Sequence, residues 1–191
     1  GDDVTQGWGQ MANQIPVLLS AGLGIIPFTT CDITGYCGDI EDYPAMAELY
    51  TRWIQMGAFN PLSRIHHEGN VAVEPWLFGE EAEKNAKAAI ELKYRLLPYI
   101  YSTAGDCVQN SGSMMRALVM DYAADKKASR LNDEYLFGRN ILVKPVTDPL
   151  YTWKDKEKKG HTIYPDVRKA AAPVNVYLPK GNKWYDFWSN T

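Results

Sequence analysis

Apolar positions are dense from Thr5 to Ala21 and stop at Gly22, which predicts a first helix with Thr5 as candidate N-cap. Pro16 lies inside that pattern and predicts either a kink or a later true start. The run Ile25-Ile26-Pro27-Phe28-Thr29-Thr30, bounded by Gly24 and Asp32, predicts a short buried strand. A Gly- and Asp-rich loop from Thr34 to Asp42 follows, and Asp42 with Pro44 just inside opens a second helix that Gly57 ends. Met46, Leu49, Tyr50, Trp53 and Ile54 share one face of it at helical spacing. Ala58 to Glu68 predicts a strand end running into a loop. Glu80 to Tyr101, rich in Ala, Glu, Lys and Leu, is the strongest helix of the chain, bent near Pro98. Met114 to Met120 and Ile141 to Val146 predict strands, with a short helix from Leu131 to Phe137 between them.

Beyond Val146 the pattern changes. Lys154 to Gly160 is charged and predicts an exposed loop or hairpin tip. Val174 to Pro179 and Lys183 to Trp188 predict two strands joined by a turn at Lys180-Gly181-Asn182. Strand–helix alternation in the first two thirds predicts parallel βα units, and the β-rich tail predicts an appended sheet domain. The expected fold is therefore α/β: the later units of a (β/α)8 TIM barrel over 1–150, followed by the start of a C-terminal β-sandwich over 151–191. A closed barrel takes eight βα units, and these are too few, so the chain reads as a piece of a larger polypeptide.

Composition narrows the partners. The 191 residues are 46% apolar and 23% charged, an ordinary globular balance. The net charge of −3 leaves no basic excess to neutralise phosphates, which argues against nucleic acid. No apolar run approaches the roughly 18 residues that would cross a membrane. Cys31, Cys37 and Cys107 have neither C-x-x-C nor zinc-finger spacing, fit free thiols, and leave the compartment open. Six Trp and twelve Tyr serve equally as core filling and as stacking platforms for sugars.

Three places carry candidate chemistry. Asp2 and Asp3 precede the first helix, where a barrel builds its active face and where a carboxyl can act as general acid; adjacent acids also simply favour the positive end of a helix. Asp32 stands at the C-terminal end of the apolar run, a site position or the opening of an Asx turn into the Gly35 loop. Arg64 and His66 are two apart and point the same way in extended backbone, suiting a hydroxyl-rich ligand or forming a polar strand cap. His67 points oppositely and falls outside that set. The acids and histidines match no metal-binding spacing, so no metal or cofactor is expected.

Taken in order, these segments resemble glycoside hydrolase family 31, the retaining α-glucosidase and α-xylosidase family. Gly1-Asp2-Asp3-Val4-Thr5-Gln6-Gly7-Trp8 is similar to the family's acid/base motif, and Gly24-Ile25-Ile26-Pro27-Phe28 with Asp32-Ile33-Thr34-Gly35-Tyr36 to its G-I-P-F…D-I-x-G-[FY] element. Trp53-Ile54-Gln55-Met56-Gly57-Ala58-Phe59-Asn60-Pro61 with Arg64-Ile65-His66 resembles W-x-Q-x-G-A-F-x-P…R-x-H. Leu96-Leu97-Pro98-Tyr99-Ile100-Tyr101, then Phe137-Gly138 with Ile141 to Val146, and Val176 to Pro179 with Trp184-Tyr185-Asp186 continue the likeness to the end.

The resemblance implies a retaining α-glycoside hydrolase with Asp3 as catalytic acid/base and Asp32, Tyr36, Arg64 and His66 as substrate-binding residues. Trp8 is expected to pack on the first helix. The family motif has Gly before its acid/base, which would favour Asp2; gapless counting from Asp32 or Trp8 selects Asp3, with Asp2 in place of that Gly. α-Glucoside is the leading substrate, followed by α-xyloside, α-galactoside and α-N-acetylgalactosaminide. Transglycosylation, a metal-dependent enzyme and a non-catalytic carbohydrate-binding fragment stand as alternatives. The family's W-x-D-[MG]-N-E-like nucleophile motif does not occur in this sequence. Its partners would be an oligosaccharide or glycoside and the remaining N-terminal part of the same enzyme. The chain alone is expected to be inactive.

Overall fold

A computed structural model describes residues 4–150, 153–154, 162–163 and 173–191. Asp2 and Asp3 lie outside the described residues, as do residues 155–160 of the charged stretch.

The first helix, α1 (Trp8–Leu23), begins at the Gly7 N-cap and not at Thr5, whose backbone forms a parallel bridge to Cys37. It runs through Pro16, which gives up the bond to the Ala12 carbonyl. Met11, Ile15, Leu18, Leu19 and Gly22 form its buried face. Gly22 permits a close approach: a Cβ there would come within 2.5 Å of Ser113 Oγ and 2.9 Å of the Met115 carbonyl.

No strand forms over 25–30. Ile25 adopts φ 71°, costly for a β-branched residue, and the residues after it form no ladder. The ladder starts two residues beyond Thr30. Strand β1 (Asp32–Ile33) leads to α2 (Tyr43–Gly57), and β2 (Arg64–Ile65) lies parallel to β1 with Asp32 opposite Arg64. Helix α2 has the expected bounds. Asp42 accepts a bond from the Ala45 N–H (3.0 Å), Pro44 sits in the first turn, and Leu49, Tyr50, Trp53 and Ile54 are buried.

The long helix expected from 80 to 101 is two helices, α3 (Glu80–Arg95) and α4 (Leu97–Asn110), meeting at Leu96. Pro98 cannot donate to the Tyr94 carbonyl, so it breaks the first helix and occupies the first turn of the second. In α3, Ala82, Ala86, Ala89 and Leu92 form the buried stripe; Glu80, Glu81 and Glu83 start it and Lys93 and Arg95 end it, matching the macrodipole.

Strands β3 (Met115–Ala117), β4 (Tyr135–Phe137) and β5 (Ile141–Val143) make an antiparallel sheet in that order. The helix expected over 131–137 is thus replaced by β4. Its Tyr135, Leu136 and Phe137 are all buried, and pairing on both edges outweighs local preference. Two short strands, β6 (Trp153–Lys154) and β7 (Thr162–Ile163), pair antiparallel. The turn at Lys180–Asn182 is present, but the described residues flanking it form no strands. Tyr177 and Trp184 nevertheless pack with Leu118, Ala128 and Leu136. Both Glu134 carboxylate oxygens accept from the Tyr177 N–H (3.1 and 3.2 Å), while burial pushes the Glu134 carboxyl above its ordinary range.

Candidate functional site

Three chain segments lie side by side at the C-terminal ends of the parallel strands. The middle one follows β1. Thr34 and Gly35 both have positive φ (73° and 92°), and the Gly35 N–H donates to the Asp32 carbonyl (3.0 Å), turning the chain sharply. The turn is closed by backbone, so the Asp32 carboxylate takes no part in an Asx turn. It instead accepts from Arg64 Nε (2.8 Å) and pairs with Arg64 Nη2 at 2.6 Å. Asp32 is almost wholly buried while the Arg64 side chain is 57% exposed. A buried carboxylate thus orients a guanidinium whose other face stays open to a ligand.

The segment after β2 carries His66, whose ring stacks on Tyr36 with centroids 5.0 Å apart and planes 29° from parallel. His66 is exposed and Tyr36 half-buried. The Glu68 N–H donates to the Tyr36 carbonyl (2.9 Å) and the Gly38 N–H to Glu68 Oε1 (3.3 Å), which ties the two strand-end loops together.

The first segment, Val4 to Gln6, lies on the other side of the 34–38 loop. The Val4 carbonyl accepts from the N–H groups of Tyr36 (2.7 Å) and Cys37 (3.1 Å). Gly35 approaches it so closely that a Cβ would stand 2.8 Å from the Thr5 carbonyl carbon and oxygen. Asp3, the residue before Val4 in the chain, lies outside the described residues.

Of the residues singled out from the sequence, Asp32, Tyr36, Arg64 and His66 are gathered here as two contacting pairs. Trp8 packs against the core through α1, as expected. Gln6 was not singled out and His67 was set aside, yet their side chains meet across the site with Gln6 Nε2 2.8 Å from His67 Nε2. A glutamine in a short loop has no sequence signature, and strand alternation only places His67 opposite His66.

Cys31 and Cys107 are buried free thiols. Burial pushes the Cys31 thiol up to about 11, partly offset by a 3.4 Å contact from Trp53 Nε1. Among the described residues no group of three or more His, Cys, Asp or Glu is placed to hold a metal ion, and no helix is long and apolar enough to cross a membrane.

Comparison with known proteins gives a consistent assignment. The α-xylosidase of Saccharolobus solfataricus is 35% identical over 188 residues, covering 98% of this chain and 23% of the relative. The neutral α-glucosidase C of Mus musculus is also 35% identical, covering 97% of this chain and 18% of the relative. Among solved structures, a GH31 dextranase of Flavobacterium johnsoniae complexed with glucose superposes with a TM-score of 0.72 at 51% identity, over 83% of this chain and 21% of that one. A GH31 α-xylosidase from a soil metagenome, complexed with xylose, reaches 0.72 at 30% identity over 85% and 28%. The chain thus spans about a fifth of the length of the curated relatives it matches. Residues 1–103 match the glycosyl hydrolases family 31 TIM-barrel domain and residues 111–191 the family's C-terminal domain, so the chain belongs to glycosyl hydrolase family 31.

Proposed function

We propose that this chain supplies the acid/base side of the active site in a retaining α-glycosidase acting on α-linked glucose. The observation that carries the reading is the Asp32–Arg64 pair on adjoining parallel strand ends, with the Tyr36–His66 stack on the loops that follow and the segment bearing Asp3 alongside. Carboxylate, guanidinium and imidazole offer acceptors and donors for sugar hydroxyls, and the half-buried Tyr36 ring offers an apolar face to a neighbouring sugar.

In the complete enzyme two carboxyls about 5–5.5 Å apart flank the scissile bond. An upstream carboxylate, absent from this sequence, attacks the anomeric carbon while Asp3 gives its proton to the departing oxygen. Asp3 then takes a proton from the water that opens the glycosyl-enzyme, and the sugar leaves with its α configuration retained. If Asp2 also faces the site, its charge would raise the pKa of Asp3 and favour the protonated form that the first step needs.

The 51% identity to a dextranase supports an α-glucan as substrate. The xylosidases among the relatives favour α-xyloside as the second reading, and an aryl α-xyloside assayed beside the matching α-glucoside separates the two. The test of the catalytic assignment is azide rescue. In the complete enzyme, Asp3→Ala should lose hydrolysis of an aryl α-glucoside and, with azide, release α-glucosyl azide. If Asp2→Ala gives that product and Asp3→Ala does not, the acid/base is Asp2. Full activity in both variants would remove the assignment and leave a binding role.

A further inference from the structure

The contact between Gln6 and His67 lies outside the two pairs proposed to hold the sugar, and it bridges the two outer segments of the site. His67 Nδ1 lies 3.1 Å from the Glu68 carbonyl. A carbonyl only accepts, so Nδ1 carries the proton, and in the neutral ring Nε2 is left as an acceptor. Gln6 Nε2 stands 2.8 Å from that acceptor and 3.2 Å from the Gly38 carbonyl, so the two amide protons of Gln6 have one acceptor each. The opposite orientation of the amide would turn its oxygen toward the Gly38 oxygen, and the hydrogen-bond set excludes it. One side chain thereby joins all three segments of the site.

We infer that Gln6 and His67 are positioning residues, whose contact holds the segment carrying Asp3 in place against the sugar-binding pairs. The inference rests on the reading of Asp3 as acid/base. The geometry gives the contact leverage. Gln6 is three residues from Asp3, and the Val4 carbonyl between them is held by the Tyr36 and Cys37 N–H groups. His67 follows His66 directly, so anchoring its ring also fixes the strand end that presents Arg64 and His66. Gly35 leaves little slack in the middle, because even a Cβ there would stand 2.8 Å from the Thr5 backbone. A general acid depends on geometry first, and displacement by about 1 Å can cost on the order of 100-fold in rate.

The experiment compares two substrates in the complete enzyme through kcat/KM, which reports the glycosylation step. An alkyl α-glucoside needs its leaving oxygen protonated, whereas α-glucosyl fluoride has a leaving group that needs little help. Asp3→Ala serves as the reference and should be impaired strongly on the alkyl glucoside and weakly on the fluoride. Gln6→Met and His67→Leu should repeat that split in milder form, with a loss of about 10- to 100-fold on the alkyl glucoside and about threefold or less on the fluoride. The double variant should lose less than the product of the two single losses, because both remove the shared Gln6–His67 contact. His67→Gln, which keeps an acceptor near the position of Nε2, should recover most of the activity. Equal losses on both substrates, or full activity in both single variants, would overturn the inference while leaving the role of Asp3 intact. Should Asp3→Ala itself fail to distinguish the substrates, the acid/base assignment fails, and the positioning role goes with it.

Discussion

At the scale of single residues, the Tyr50 hydroxyl is a buried polar atom whose burial is uncompensated among the described residues. Tyr50 is fully buried in α2 and stacks on Phe78, with ring centroids 3.9 Å apart and planes 16° from parallel. Its hydroxyl has no hydrogen-bond partner among the described residues, and burial raises its pKa far above the ordinary tyrosine value. The stacking belongs to the ring and would survive loss of the oxygen, while an unsatisfied buried hydroxyl costs about 1–3 kcal/mol. Tyr50→Phe should therefore raise the unfolding free energy of the complete enzyme by about 1 kcal/mol, read as a shift in denaturant midpoint. A fall in the midpoint would mean that the hydroxyl has a partner in solution. The residues of the candidate site behave in the opposite way. Asp32, also buried, meets Arg64 through a charge-assisted bond.

Among the elements, the β4–β5 hairpin is held by a contact that one added methyl group would disrupt. Gly138 sits in the turn at φ 63°, and a Cβ there would fall on Tyr99 Oη of α4. That hydroxyl donates to the Phe137 carbonyl (2.7 Å) and accepts from the Asn140 N–H (3.4 Å), so it has no free direction in which to retreat. Gly138→Ala should cost about 1–2 kcal/mol for the left-handed backbone and about 1 kcal/mol for the displaced bond. Amide exchange at residues 136–141 should then quicken by about 10- to 100-fold, at about 1.4 kcal/mol per factor of ten. Unchanged protection there would mean that α4 does not brace the hairpin. Elements defined by local signals were legible in the sequence. Helix α2 carries its own cap in Asp42, its Pro44 and its apolar stripe, and α3 carries its charges at the matching ends. Elements defined by distant partners were not. Strand β4 exists because β3 and β5 flank it, and 25–30 is not a strand because Ile25 turns the chain out of any ladder. The site divides the same way. Asp32, Tyr36, Arg64 and His66 sit in extended motifs, whereas Gln6 and His67 acquire their relation only when segments 61 residues apart are brought together.

For the whole molecule, the parallel sheet decides what this chain can do alone. Strands β1 and β2 form a pair, and a barrel closes only with eight. The edge left open has apolar side chains facing water: Val17, Ile26, Phe28 and Leu62 line a groove of about 860 Å³ that runs past Thr30 to Arg64. Residues of that size in contiguous exposure mark a surface built to be covered. In the proposed enzyme the cover is the rest of the barrel, which also brings the nucleophile. The two shortages predict different results. If only stability were missing, a purified chain would retain slow hydrolysis of α-glucosyl fluoride, whose departure needs no acid. Lacking the attacking carboxylate as well, it should release no fluoride above the solvent background, even at high protein concentration. Mixing it with the upstream part of the same enzyme should restore fluoride release and bury the groove together, followed as loss of binding of an apolar dye. Restored activity should again disappear when Asp3→Ala is introduced and an alkyl glucoside is the substrate. Hydrolysis by the purified chain alone, with retained α configuration, would place both carboxyls within these 191 residues and end the division of labour proposed here.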